Sequence, residues 1–171
     1  MALLEFNGKR PRLGKDVYVD PTARILGDVE LCDNAAVWFG CLVKGEVELT
    51  KIGRSSVIME LCFVEDTHIG EEVLVSHRAI LHRCMVESRV LIGIGAIVLD
   101  GAQIGEGSII GAESVVTAGT KIPRGCVAFG SPAKAFREVT EKDRELFSKA
   151  LEEVAWKTSR YKMILSGSLK P

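Results

Sequence analysis

A chain of 171 residues is long enough for one domain with a substantial core. Its 22 Lys+Arg nearly cancel its 23 Asp+Glu, leaving a net charge of −1, so neither a nucleic acid nor an anionic membrane is an expected partner. No apolar run reaches transmembrane length, and the opening MALLEFNGKRPRLG lacks signal-peptide architecture, so a cytoplasmic location is expected. The cysteines (Cys32, Cys41, Cys62, Cys84, Cys126) form no CxxC pair and read as reduced, small apolar residues.

From Leu13 the chain is periodic. Steps of six give Val19, Ile25, Leu31, Val37, Val43 and Leu49, and steps of six from Val86 give Ile92, Val98, Ile104, Ile110, Val116 and Ile122. A second lattice, four residues after the first, holds Val17, Ala23, Val29, Ala35, Cys41 and Val47, then Val90, Ala96, Ala102, Ser108, Ser114 and Thr120. All are small or β-branched. A period of six fits neither the 3.6 of a helix nor the 2 of a long strand. It fits a parallel β-helix of three short strands per turn, each adding one aliphatic and one small side chain to a narrow interior. Eighteen residues then make a turn, and equivalent residues stack at roughly 4.8 Å. A sandwich of alternating strands would instead show period-2 runs and Asn-Gly hairpin turns through this region, and it has neither.

The coil is expected to end near Gly125, with PRGCVAFGSPAKAFR as an exit loop. Thr140 with Asp143 then forms a capping signal for a helix over roughly 140–164. Leu146, Phe147, Ala150, Leu151, Val154, Tyr161 and Ile164 follow at helical spacing, a stripe suited to packing along the coil. Residues 1–138 and 139–171 are read as two parts of one domain.

The lattice breaks between Leu49 and Val86. Ile52, Ile58 and Val64 keep step with one another, three residues out from the first block; Ile69, Val75 and Ile80 follow, with one-residue-short steps at Val64–Ile69 and Val75–Ile80. His68, His77 and His82 all lie in this window. Departures from a strict local rule are expected at functional sites. The coil from Val64 reaches Leu81 in 17 residues, which stacks His82 above Glu65 and leaves His77 on another edge of the triangle. His68, 14 residues before His82, is out of that phase and reads as a corner residue.

The segments VSHRAILHRC and VLIGIGAIVLDGAQIGEGSIIGAESVV closely resemble the γ-class carbonic anhydrase family. GDVELCDNAAVWFGCLVKGEVELTKIG matches that family's N-terminal repeats, and FGSPAKAFREVTEKD its exit into the helix. The resemblance implies a left-handed parallel β-helix, contrary to the usual hand of parallel crossovers. It also implies a homotrimer with zinc held between neighbouring subunits by three histidines, and a small substrate such as CO₂ or bicarbonate. Two of the three ligand positions fall on His77 and His82, and the third on Glu65. An Arg and an Asp in a run like RGD fall on Lys44 and Glu46, and a Gln and an Asp in a run like NIQD fall on Met59 and Glu60.

A set of two His and one carboxylate is a zinc site with an open position, and it is also a ligand type of non-haem Fe(II). The carboxylate lowers the formal charge of the site, Lys44 lacks the bidentate fork of Arg, and Met59 cannot hydrogen-bond. Weak or absent CO₂ hydration is therefore expected, with Glu60 or Glu46 as proton relay and Lys44 beside them. Two other readings stand beside it. One is a hexapeptide acyltransferase using His77 or His82 as base, and the other is a non-catalytic assembly subunit.

Overall fold

The computed structural model describes residues 2–168 and divides into two compact units, one ending at Val139 and the other beginning at Thr140. The first unit is a left-handed parallel β-helix with a triangular cross-section. Its strands are mostly two or three residues long, because each must turn a corner before the next begins. Arg24–Leu31 and Leu42–Ile52 are longer and run through two faces.

One face stacks Ile25, Val43, Val64, Leu81, Val98 and Val116 inward; a second stacks Leu31, Ile52, Ile69, Val86, Ile104 and Ile122. The third stacks Val19, Val37, Ile58, Val75, Ile92, Ile110 and Ala128. These side chains form one continuous core. Like residues lie on like residues, so neighbours have matched shapes and almost every inward atom leaves water. The small lattice fills the corners: Thr50 and Thr67 are fully buried there, and their hydroxyls bond the carbonyls of Lys44 and Glu65. All five cysteines are free, and burial pushes the Cys84 thiol up to about 12.

Register partners measure each turn. Tyr18 to Ala36 is 18 residues, Ala36 to Val57 is 21, Val57 to Leu74 and Leu74 to Leu91 are 17 each, and Leu91 to Ile109 and Ile109 to Val127 return to 18. All the irregularity sits at one corner, between the first and second faces. Inward residue to inward residue, that corner takes six residues from Ile25 to Leu31 and from Val98 to Ile104. It takes nine from Val43 to Ile52, and five from Val64 to Ile69 and from Leu81 to Val86.

Several sequence expectations need correction. Leu13, on the short strand Arg12–Leu13, is 40% exposed. The three-residue slip begins at Gly45, before Leu49: Leu49 is 37% exposed and Val47 68%, while Thr50 and Ile52 are buried. Gly45 leaves the regular path where a Cβ would lie only 2.0 Å from the Asp28 carbonyl oxygen, so only glycine fits. The second short step is Leu81–Val86 rather than Val75–Ile80, for Leu81 is buried and Ile80 points outward. His68 lies on a strand of the second face, exposed between Lys51 and Met85, and is not a corner residue. Ahead of the repeat, Asn7 and Gly8, both with positive φ, form a tight turn closed by a Phe6–Lys9 bridge.

The expected exit loop is instead two strands. Cys126–Gly130 continues the third face in parallel, and Ala133–Glu138 folds back on it antiparallel. The second strand occupies the open hydrogen-bonding edge of that face, an edge that would otherwise invite pairing with another chain.

The second unit contains the helix Glu141–Leu165, capped by Thr140 and Asp143 in a reciprocal capping box. Of the expected stripe, Val154 is buried, whereas Leu146 and Ile164 are exposed. No helix of the described residues is long and apolar enough to cross a membrane.

The register makes a direct test. Ile104→Asp places an unpaired carboxylate in the fully buried stack and is expected to abolish folding. Gln103→Thr, one residue earlier and outward, is expected to change stability by less than about 0.5 kcal/mol. Circular dichroism melts of the two variants check this, and equal tolerance would refute the assigned register.

Candidate functional site

The candidate residues fall on two different corners of the coil. At the irregular corner the structure brings together Lys44, Glu46, Glu65 and His82. Lys44, Glu65 and His82 are register partners on three successive strands, at the last position before the chain turns. The residue after Glu65 is Asp66 (φ 45°) and the residue after His82 is Arg83 (φ 47°). These left-handed corner residues swing the chain onto the next face and leave the preceding side chain standing at the edge.

Lys44 Nζ lies 3.0 Å from Glu46 Oε2 and 3.2 Å from Glu65 Oε2. The same Glu65 oxygen lies 3.7 Å from His82 Nε2. On its other side, His82 Nδ1 is 2.6 Å from Asp100 Oδ1. The two ring nitrogens of His82 thus face two different carboxylates, Nδ1 toward Asp100 and Nε2 toward Glu65. Burial works against the Lys44 ammonium, but the carboxylates of Glu46 and Glu65 outweigh it and hold the group above the ordinary lysine range. The hydrogen bond from His82 holds the Asp100 carboxyl below the usual carboxylate range.

A second layer holds this arrangement. The three residues inserted at the corner form a loop whose Glu46, Val47 and Glu48 amides all point at Asp66 Oδ1, at 2.9, 3.2 and 3.2 Å. Converging backbone N–H groups of this kind make a seat for an anion. The Asp66 side chain is fully buried, and among the described residues its other oxygen has no hydrogen-bond partner, with Arg83 Nε 3.6 Å away. Arg83 also reaches toward Asp100 at 4.0 Å. Lys44, Glu65, His82, Asp100, Arg83 and Asp66 thus form a chain of contacts that returns through the loop to Glu46.

The other group lies at the corner between the third and first faces. His77 precedes Arg78, again a left-handed residue (φ 58°), and Arg78 N donates to the carbonyl of Glu60 one turn below. Glu60 Oε2 is 2.7 Å from His77 Nδ1, off the line of a hydrogen bond. Met59 is buried beside Glu60. The structure therefore brings Glu60 to His77 and Glu65 to His82, and it keeps the two pairs on separate edges. Within one chain, among the described residues, no three His, Cys, Asp or Glu side chains converge on a single point fit for a metal.

Asp66, Arg83 and Asp100 were not singled out by the sequence reading. The lattice carried no signal for Asp100: the turn above His82 is 17 residues long, so its register partner is Leu99, and Asp100 reaches the imidazole from the next position, at the corner.

Comparison with known proteins adds the family. Residues 83–118 match the pattern described as bacterial transferase hexapeptide (six repeats). The carbonic anhydrase of Geobacillus kaustophilus is 35% identical over 164 residues, which cover 93% of this chain and 90% of that protein. The chain belongs to the γ-class carbonic anhydrase-like family. Gamma carbonic anhydrase 2, mitochondrial, of Arabidopsis thaliana is 34% identical over 152 residues; they cover 82% of this chain but only 55% of the plant protein. The crystal structure of a hexapeptide transferase family protein from Anaplasma phagocytophilum superposes with a TM-score of 0.90. It is 31% identical and covers 94% of this chain and 98% of that one. Proteins similar to this chain thus share one coil while carrying names from two chemistries.

Asp66 generates a prediction independent of any ligand. Asp66→Ala removes a buried charged acceptor from three amides and is expected to cost about 2–3 kcal/mol, against less for Asp66→Asn, which keeps one carbonyl oxygen. Urea melts measure the loss, and hydrogen exchange should quicken at residues 46–48.

Proposed function

We propose that the chain is a subunit of a homotrimeric γ-carbonic-anhydrase-like metalloprotein with a modified site. Glu65 and His82 of one subunit and the partner subunit's His77 would hold the ion, zinc in the first place and Fe(II) as the alternative. The observation that carries this reading is the separation of two half-sites onto two edges of one coil. Each edge holds a histidine in contact with a carboxylate, and neither holds enough donors alone.

The donors present fit such an ion. Two ligands of a tetrahedral zinc, each about 2.0–2.1 Å from it, stand roughly 3.4 Å apart. Glu65 Oε2 and His82 Nε2 stand 3.7 Å apart, and a proton on Nδ1 toward Asp100 would leave the Nε2 lone pair for an ion in the gap. Asp100 on Nδ1 is the outer partner that metal-ligating histidines commonly have, and it fixes both tautomer and ring orientation. When bound, the metal supplies Lewis acidity toward water or a carbonyl oxygen, weakened here because a carboxylate ligand lowers the charge of the site.

The chain's own residues then decide how well hydration of CO₂ proceeds. Glu46 Oε2 and Glu60 Oε2 are the proton acceptors at the two edges, the first tied to Lys44 and the second beside His77. Lys44 supplies positive charge without the fork that fixes a partner's orientation. Met59 offers no hydrogen bond where an amide would orient a nucleophile. Hydration is therefore weak or absent. The likeness to a hexapeptide transferase family protein favours one second reading, acyl transfer with His77 or His82 as general base. A non-catalytic assembly subunit is the third, and it requires no metal.

Sedimentation at micromolar concentration is expected to show a stable trimer, because the half-sites cannot meet in one chain. A stable monomer would sink the site. Metal analysis of protein purified without an affinity tag is expected to give one ion per subunit. Acyl-CoA turnover by metal-free protein would instead favour the transferase.

Restoring the family's ligand with Glu65→His is expected to raise CO₂ hydration modestly, by less than about tenfold. Adding Lys44→Arg and Met59→Gln should raise it by more than the separate effects combined, since residues that act as a unit are non-additive. Stopped-flow hydration assays of the single and triple variants read this directly.

A further inference from the structure

Resting on that metal reading, we propose that Lys44 is a built-in cation that occupies Glu65 in competition with a divalent metal, and that Glu46 is its alternative seat. The decisive contact is at one atom. Glu65 Oε2, the oxygen that faces His82 Nε2 at 3.7 Å, is also the oxygen that Lys44 Nζ holds at 3.2 Å. An ion shared by Glu65 and His82 needs the electron density that the ammonium now takes.

The contact is not a loose surface pair. The Lys44 and Glu65 side chains are only 17% and 11% exposed, so water screens them poorly. Phe63 covers the ammonium from outside, its ring centroid 5.4 Å from Nζ. Glu46 stands 3.0 Å away on the inserted loop, and that loop is held by the three amides on Asp66. Nζ thus has two carboxylate seats within reach, and it can keep one while yielding the other. Like charges 3–4 Å apart in a half-buried site repel strongly. A divalent ion on Glu65 therefore drives Lys44 onto Glu46, and removing either residue changes metal affinity in opposite directions.

The test titrates metal-free trimer with Co(II), followed by visible absorption and equilibrium dialysis, with sedimentation confirming assembly of every variant. Lys44→Met is expected to tighten Co(II) binding at least about tenfold, and Lys44→Gln should behave likewise. Lys44→Arg, which keeps the cation, should not tighten it. Glu46→Gln is expected to weaken binding at least about fivefold with Lys44 present, and less than about twofold in the Lys44→Met background. Unchanged affinity in both Lys44→Met and Lys44→Gln overturns the proposal, as does an equal Glu46→Gln effect in the two backgrounds. If wild type binds no Co(II) but Lys44→Met does, the competition is stronger than stated and the proposal stands. If no variant binds Co(II), Glu65→His included, the metal reading fails and this inference falls with it.

Discussion

Parallel stacking of equivalent residues is the constraint on which everything else in this protein rests. Each inward aliphatic side chain is packed above and below by its counterparts on the adjacent turns, and each strand donates and accepts in one fixed register. A one-residue slip inside a strand would turn its apolar side chain to solvent. Length changes can therefore enter only at corners. The chain confines one insertion of three and two deletions of one to a single corner on successive turns, and Glu65, Asp66, His82 and Arg83 stand there. The strict repeat gives rigidity to every other position, and the one permissive place gathers Lys44, Glu46, Glu65 and His82. A corner has a further property that a face lacks. Its left-handed residue swings the chain onto the next face, so the side chain before it stands at the edge, with its polar atoms against those of its register partners on adjacent turns.

Charge gives that corner its character. Glu46, Glu65, Asp66 and Asp100 face Lys44 and Arg83, an excess of acid in a region where several of the groups are half-buried or buried. Such a set is costly to desolvate unless every member has a partner. The pairing achieves this only in part, since among the described residues one buried oxygen of Asp66 lacks a hydrogen bond. Under the proposed reading, Glu65 stands at a histidine position of the family and Lys44 at an arginine position, and the two can be understood together. A carboxylate introduced at a half-buried edge demands a cation, and Lys44 directly below it in the register supplies one. Under the proposed reading, the same pairing would lower the affinity of the edge for a metal.

The coil, its three-residue slip and the 17-residue turn that puts His82 on Glu65 were legible in the sequence because they depend on inward residues, whose chemistry is monotonous. The capping pair Thr140 and Asp143 was legible for a similar reason, since a helix start has a short local code. The failures occurred where position is decided by contacts outside the lattice. Leu49 and Val47 fit the six-residue step by type, yet the backbone had already left it at Gly45, a close approach that no hydrophobic pattern reports. Ile80 and Leu81 are equally apolar neighbours, and only stacking on Val64 decides which turns inward. The final two strands were hidden because their pairing is antiparallel and follows no period of six. Asp66 and Asp100 were passed over because a corner carboxylate looks like solvated surface until the loop amides or the histidine it serves are in place.

The two-edge arrangement also constrains how a complete site can form. Under the proposed reading, the edge bearing Glu65 and His82 must meet the edge bearing His77 on another subunit. Such a contact joins different surfaces of the two copies, so one copy keeps an unused His77 edge and the other an unused Glu65–His82 edge. A two-fold dimer would have to satisfy both contacts across a single axis, which would place each edge on both sides of the same interface. A heterologous contact instead repeats, and it ends either in a closed ring or in an open filament. On a triangular coil whose edges run parallel to its axis, the ring closes with three copies side by side and their axes aligned. The same geometry makes the sites interdependent in assembly, because every subunit lends its own His77 edge to one neighbour and its Glu65–His82 edge to the other.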